Sequence, residues 1–204
     1  TAALTTFLIA GLSITSAQAA ITVKDDGGQT VTVAKPALRI ISLAPSVTEL
    51  LFAAGGGSRV VGAVNYSDYP EAAKRIPRIG SNREIDMELL ISLKPDLIVA
   101  WRHNSSERQI EMVRRLGIPV FQSDPQTLDG IPDSVLRLGQ LMGTEAAAKT
   151  TATQLREQLA GLRTRYAGRA PVRTFYQVWD KPLYTLSGKH ILTDAMKLCG
   201  GENV

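Results

Sequence analysis

Cysteine is nearly absent from this chain: Cys199 is the single one among 204 residues. An internal disulfide is thereby excluded, and one cysteine with two distant histidines, His103 and His190, cannot build a zinc cluster. No block of five like charges occurs. The net charge of +4 is scattered over 23 basic and 19 acidic residues, which argues against a nucleic-acid-binding patch. No G-x-S-x-G elbow and no paired His-Glu metal motif is present, so the two histidines have no catalytic companions. The glycine triplet Gly55-Gly56-Gly57 is not followed by Lys-Ser/Thr and comes after a helical pattern, which makes it a helix stop and not a phosphate loop.

What remains is ordinary globular material, 44% hydrophobic and long enough for one or two domains with a sizeable core. Thr1 to Ala19 is uncharged, has an apolar centre around Leu4 to Leu12, and ends in Ala17-Gln18-Ala19, the small-x-small pattern that precedes signal cleavage. The apolar centre is shorter than the roughly 20 residues of a membrane-spanning helix. A partial signal peptide over 1–19 and a mature start at Ala20 are expected, hence export.

The stretch Asp86 to Arg102 organises the rest. Asp86 can cap a helix with Met87, Leu90, Ile91 and Leu93 largely on one side, and Lys94-Pro95-Asp96 stops it. Leu97 to Ala100 then reads as a strand buried on both faces, as in a parallel sheet, and ligands of such sheets collect beyond the carboxyl ends of the strands. Trp101 and Arg102 stand at that end. Before it come a hairpin across Asp25-Asp26-Gly27-Gly28, a strand Arg39–Ala44, a helix from Pro45 with Ser46 and Glu49 at capping-box spacing, and a strand Val60–Val64. The loop Asn65–Pro70 leads into a short helix Glu71–Arg75 with Pro70 in its first turn. After it come the loop His103-Asn104-Ser105, a helix with Ile110, Val113 and Leu116 inward, and a strand Val120–Gln122. Strands near 40, 60, 97 and 120 alternating with helices describe an α/β sheet of mainly parallel strands.

Beyond Asp124 the pattern becomes helical. Pro132–Met142 reads as one helix, and Thr144 caps a long one whose apolar side is Ala148, Ala152, Leu155, Leu159, Leu162 and Tyr166. A helix of about 22 residues spans roughly 33 Å, enough to brace two lobes. A strand Val172–Val178, a loop Trp179–Tyr184 and a helix Ile191–Leu198 follow. One strand and one helix need neighbours to bury their apolar faces, so a second lobe that is incomplete over 168–204 is expected, after a first lobe over 20–143 and a spanning helix over 144–167.

Several segments together carry a resemblance: Arg39–Ser46 with Thr48-Glu49, Tyr66-Ser67-Asp68-Tyr69-Pro70, Leu93–Trp101, Leu116–Val120 and Gly200-Gly201-Glu202-Asn203. In this order they resemble the periplasmic substrate-binding proteins for cobalamin and iron chelates, and the Tyr66–Pro70 loop and the Ala100-Trp101-Arg102 ending look most like the cobalamin branch. The resemblance implies two Rossmann-like α/β lobes joined by a single long helix, the class III periplasmic binding protein architecture. It further implies a monomer that holds its ligand in the cleft between the lobes, without catalysis or a resident cofactor, and delivers it to a membrane ABC transporter. An extracellular enzyme on the same scaffold is the remaining class, since fold alone does not fix function.

A corrinoid or metal chelate presents a wide apolar face with a polar rim, so its site needs aromatic planes and a few hydrogen-bonding groups. Only 5% of the chain is aromatic, yet Tyr66, Tyr69 and Trp101, and from the second lobe Trp179 and Tyr184, fall in loops or at strand ends. With Arg102 they form the expected ligand-binding set. Where the cobalamin branch has a further Trp before the central helix, this chain has Ser81-Asn82-Arg83-Glu84. A haem or a ferric siderophore is the alternative ligand; for haem, His103 with a tyrosine such as Tyr69 or Tyr184 is the iron-ligating set. Glu88, in the first turn of the central helix, suits the helix dipole. The resemblance implies in addition that it docks into an arginine pocket of the transporter.

Overall fold

The computed structural model describes residues 19–81, 84–103 and 107–204. The expected leader lies outside these apart from Ala19, as do Asn82, Arg83 and the loop residues 104–106. No described helix is long and apolar enough to cross a membrane.

The chain opens with a hairpin, β1 (Ile21–Lys24) antiparallel to β2 (Thr30–Val33), joined across the expected Asp25–Gly28 turn. Then β3 (Ile40–Ser42), α1 (Pro45–Ala53), β4 (Val60–Ala63), a short 3₁₀ turn Glu71–Arg75, α2 (Met87–Ser92), β5 (Leu97–Trp101), α3 (Glu107–Arg115) and β6 (Val120–Ser123) follow. The four strands β4-β3-β5-β6 form one parallel sheet in that order. Its two faces bury two separate cores. Leu97 and Val99 of β5 pack with Leu51 and Leu138, whereas Ile98 and Ala100 pack with Ile41, Leu90 and Ile110. The period of two along a strand therefore leaves no solvent-facing side, and the apolar run Leu97–Ala100 is fully buried.

Local chemistry fixes where the elements start. Asp86 caps α2 by accepting from the Leu89 amide at 2.9 Å. Lys94 takes a positive φ of 47° after the helix, and the Asp96 carboxylate accepts from the Leu38 and Arg39 amides at 2.9 Å each, binding the start of β3 to the start of β5. The Ser46/Glu49 capping box does not form. Pro45 already occupies the first helical position and Ala44 the cap, so Ser46 and Glu49 lie inside the helix and are exposed. The anchoring is done instead by Thr48, whose hydroxyl meets that of Ser42 at 2.7 Å in a fully buried position. Pro70, too, sits one position before the first turn of its short helix, as its cap. Ile91 and Leu116 are about half exposed, at 47% and 51%, and not inward; the fully buried side chains are Leu90 in α2, with Met87 and Leu89 packed beside it, and Ile110 and Val113 in α3.

Helix α4 (Gly130–Met142) begins two residues before Pro132, which is tolerated in the first turn where no amide bond is lost. Helix α5 (Glu145–Tyr166) has the anticipated 22 residues. Thr144 stands at its cap position, but the hydroxyl donates to the Ala54 carbonyl at 2.7 Å and fastens the helix to the end of α1. The two helices touch closely where Gly139 meets Ala148; a Cβ on Gly139 would fall 2.3 Å from the Ala148 Cβ. Only Ala148 and Ala152 of α5 are buried, while Leu155, Leu159, Leu162 and Tyr166 are half-buried along the same stripe.

After α5 the expected strand Val172–Val178 is broken in two. β7 (Val172–Thr174) runs parallel to β10 (Gly201–Asn203), and β8 (Gln177–Asp180) pairs antiparallel with β9 (Leu183–Thr185), because the chain changes partner at Phe175-Tyr176. The segment Trp179–Tyr184 is thus a hairpin, not an open loop. Helix α6 (Ile191–Leu198) connects it to β10 and coincides with its sequence reading.

Candidate ligand-binding cleft

Because β5 is buried along its length, its first accessible side chain is Trp101, the last residue of the strand. A cleft of about 770 Å³ opens there, along the carboxyl ends of β3, β5 and β6. Its apolar wall is made by Pro45, Leu50 and Ala53 of α1, Ile131 and Val135 of α4, and Leu155 of α5; Trp101 and Tyr69 add aromatic surface. Polar groups are few: Ser46, Glu49, His103, Ser123, Asp124, Gln126 and His190. That volume falls within the roughly 300 to 1,000 Å³ of small-molecule sites, and the mix of apolar wall and sparse polar groups is the usual one.

Of the aromatic and basic residues expected in a ligand site, Tyr69 and Trp101 line this cleft. Tyr66, Arg102, Trp179 and Tyr184 are not among its lining residues. Tyr66 is 83% exposed at a positive φ of 66°, and Trp179 and Tyr184 face each other across the β8–β9 hairpin with their side chains mostly exposed. Glu88 is exposed in the first turn of α2 and is not among the cleft's lining residues.

The polar end of the cleft is held by a network running back to the first hairpin. His103 Nε2 lies 2.9 Å from the Asp124 Oδ2, and its ring meets Trp101 edge-on with centroids 6.4 Å apart. Asp124 is itself buried, and its amide donates to the Asp26 carboxylate. Asp26 also takes bonds from Arg137 and Ser134 of α4, while Asp25 accepts from the Gln122 amide at 3.2 Å. Arg137 further donates to the Lys24 carbonyl at 3.1 Å and stacks over the Phe121 ring at 5.6 Å. The β1–β2 turn therefore acts as a clasp on the end of β6, and through Asp124 it sets the position of His103.

His190 reaches the cleft from the other side, as the cap of α6. Its Nδ1 accepts from the Leu192 amide at 3.2 Å. The hydroxyl of Ser123 is buried at the cleft with no hydrogen-bond partner among the described residues. Sequence reasoning passed over Ser46, Glu49, Ser123, Asp124, Gln126 and His190. The signal for Asp124 and Gln126 was available, since they directly follow the end of β6, where ligands of parallel sheets gather. His190 had none, as only the fold brings α6 to this opening. Among the described residues no group of three His, Cys, Asp or Glu is placed to hold a metal ion.

A family model described as periplasmic binding protein matches residues 40–204. This chain belongs to the periplasmic binding protein family. It is 43% identical over 171 residues to the vitamin B12-binding protein of Yersinia pestis (strain Pestoides F), an alignment that covers 84% of this chain and 61% of that relative. Among solved structures it is similar to the periplasmic vitamin B12 binding protein BtuF of Vibrio cholerae, with a TM-score of 0.77 and 40% identity, covering 82% of this chain and 66% of that one. The periplasmic heme-binding protein RhuT from Roseiflexus sp. RS-1, in apo form, matches with a TM-score of 0.70 and 27% identity, over 81% and 65% of the two chains. The chain thus spans about 61% of the length of the curated relatives it matches. As a periplasmic binding protein it has the family's α/β architecture, a parallel-stranded lobe followed by one long helix and a second α/β segment.

The clasp yields a stability prediction. Asp26 and Arg137 are largely shielded, with side chains 10% and 26% exposed, whereas the pair Arg156–Asp133 is open to solvent at 48% and 61%. Removing a shielded partner strands the other charge, so Asp26→Ala should lower unfolding stability by about 2 kcal/mol and Asp133→Ala by less than about 0.5 kcal/mol. Urea unfolding of the two variants checks this; equal losses would remove the clasp from the account.

Proposed function

We propose that this protein captures a corrinoid of the cobalamin type in the cleft at the strand ends and hands it to a membrane ABC transporter outside the cytoplasm. The observation that carries the reading is the pairing of Trp101 and Tyr69 with an otherwise apolar wall at the carboxyl ends of β3, β5 and β6, in a chain 43% identical to vitamin B12-binding proteins. An aromatic and aliphatic wall suits the broad face of a macrocycle, and the polar groups suit its amide-bearing rim. In this reading the protein binds and releases without making or breaking bonds. The division into a first lobe over 20–143, a spanning helix over 144–167 and a second-lobe segment over 168–204 belongs to the same proposal.

Haem is the second reading, favoured by one observation. His103 has its Nε2 against the buried Asp124 carboxylate, the arrangement that fixes and strengthens an imidazole as a metal ligand through its other nitrogen. The two ligands separate spectroscopically. Mixed with cyanocobalamin and with haemin in turn, the protein should retain the corrinoid and leave the haemin Soret band unshifted. Trp101→Ala should weaken corrinoid binding roughly ten- to a hundredfold with the fold intact, because a stacked aromatic anchor contributes a few kcal/mol at most. Unchanged affinity would remove Trp101 from the ligand surface, and a Soret shift that His103→Ala abolishes would overturn the corrinoid reading.

Glu88 is proposed as a contact to the transporter's arginines, supported by its exposure on the first turn of α2 and its absence from the cleft lining. Reversing a rim charge turns attraction into repulsion while leaving the ligand site untouched. Glu88→Arg should therefore preserve corrinoid affinity and impair transporter association, both measured on the same preparation. Normal association would exclude Glu88 from the docking surface.

A further inference from the structure

The tautomer of His190 is set by the fold. A backbone N–H can only donate, so the contact from the Leu192 amide to Nδ1 at 3.2 Å makes Nδ1 an acceptor without a proton. In the neutral ring the proton is then on Nε2, at the opposite edge, and the ring lines the cleft. An imidazole held in this way is a hydrogen-bond donor to a ligand and is not prepared as a metal ligand, which would need Nε2 bare. The contrast with His103 is direct, since there a carboxylate engages Nε2. A second polar group stands unpaired in a residue that lines the same cleft: the buried Ser123 hydroxyl has no partner among the described residues. Buried polar atoms are rarely left so unless a ligand or water completes them.

We propose that His190 is a specificity-determining donor whose Nε2–H binds a carboxamide oxygen on the ligand's rim, an assignment that rests on the corrinoid reading above. A site that supplies a fixed donor discriminates against ligands lacking an acceptor at that place, because the donor would be left unpaired in a desolvated position. The contact joins α6 to the parallel-stranded lobe in function. Its ring comes from the start of α6, whereas Trp101 and Tyr69 come from the parallel-stranded lobe.

Two isosteric replacements separate the roles of the two nitrogens. Asparagine places an acceptor near the Nδ1 position and is a good helix cap, whereas glutamine places a donor near the Nε2 position and caps poorly. The experiment measures affinity for cyanocobalamin and urea stability for the unsubstituted protein, His190→Asn and His190→Gln. His190→Asn should bind about five- to tenfold more weakly at unchanged stability, and His190→Gln should keep affinity within about twofold while losing some stability. This crossed pattern is specific to the donor role, since a merely structural histidine would couple affinity to stability in both variants. Aquacobalamin, whose upper cobalt position is exchangeable, should bind without a shift of its visible bands. Unaltered affinity in His190→Asn, parallel losses in both variants, or a band shift abolished by both would overturn the assignment while leaving corrinoid binding in place. Failure of the unsubstituted protein to bind any cobalamin would overturn the corrinoid reading itself, and this assignment with it.

Discussion

The constraint on which the rest depends is that the central strand β5 is buried on both faces. Every side chain from Leu97 to Ala100 is fully buried, so no polar or recognising group can be displayed along the strand. Chemistry can begin only where the strand stops, and the residue there is Trp101. β3 is buried in the same way, and the chain just beyond it brings Ala44 to the same opening, where β6 ends at the buried Ser123. Burial that stabilises the sheet thus also concentrates the accessible groups at one end of it.

The two ends of the sheet are fastened differently. At the starts of β3 and β5 the Asp96 carboxylate holds two backbone amides, a rigid tie remote from the cleft. At the ends, the fastening is a chain of charged and polar groups from the β1–β2 turn through Asp26 and Asp124 to His103. The hairpin lies outside the four-stranded sheet, yet its acidic turn determines how the loop after β6 is presented. Shielded ion pairs contribute little net stability compared with an apolar replacement, and their value here is positional: they hold one arrangement of the cleft's polar end.

Much of this was legible in the sequence because it follows from local pattern. The four parallel strands, the Asp86 cap, the glycine stop at Gly55 and the 22-residue length of α5 are all consequences of spacing and residue type within a short window. The errors fell where a distant partner competes for a local group. Thr144 has the position of a cap, but the Ala54 carbonyl takes its hydroxyl. Ser46 and Glu49 have capping-box spacing, but Pro45 and the buried Thr48–Ser42 contact start the helix earlier. The strand predicted over Val172–Val178 divides because two different partners, β10 and β9, claim its halves. For the cleft, position after a strand end found Trp101 and could have found Asp124. His190 and Leu155 come from helices far along the chain, and no window-based reading joins them to the strands.

The central claim is that the ligand sits at the carboxyl ends of β3, β5 and β6, and amide hydrogen exchange with and without cyanocobalamin tests it most directly. Slowed exchange should appear in residues 44–53, 99–103, 123–126 and 190–192, with the starts of the strands and the β8–β9 hairpin unaffected. Protection confined to the hairpin that carries Trp179 and Tyr184, with none at Trp101, would place the ligand elsewhere and contradict the account.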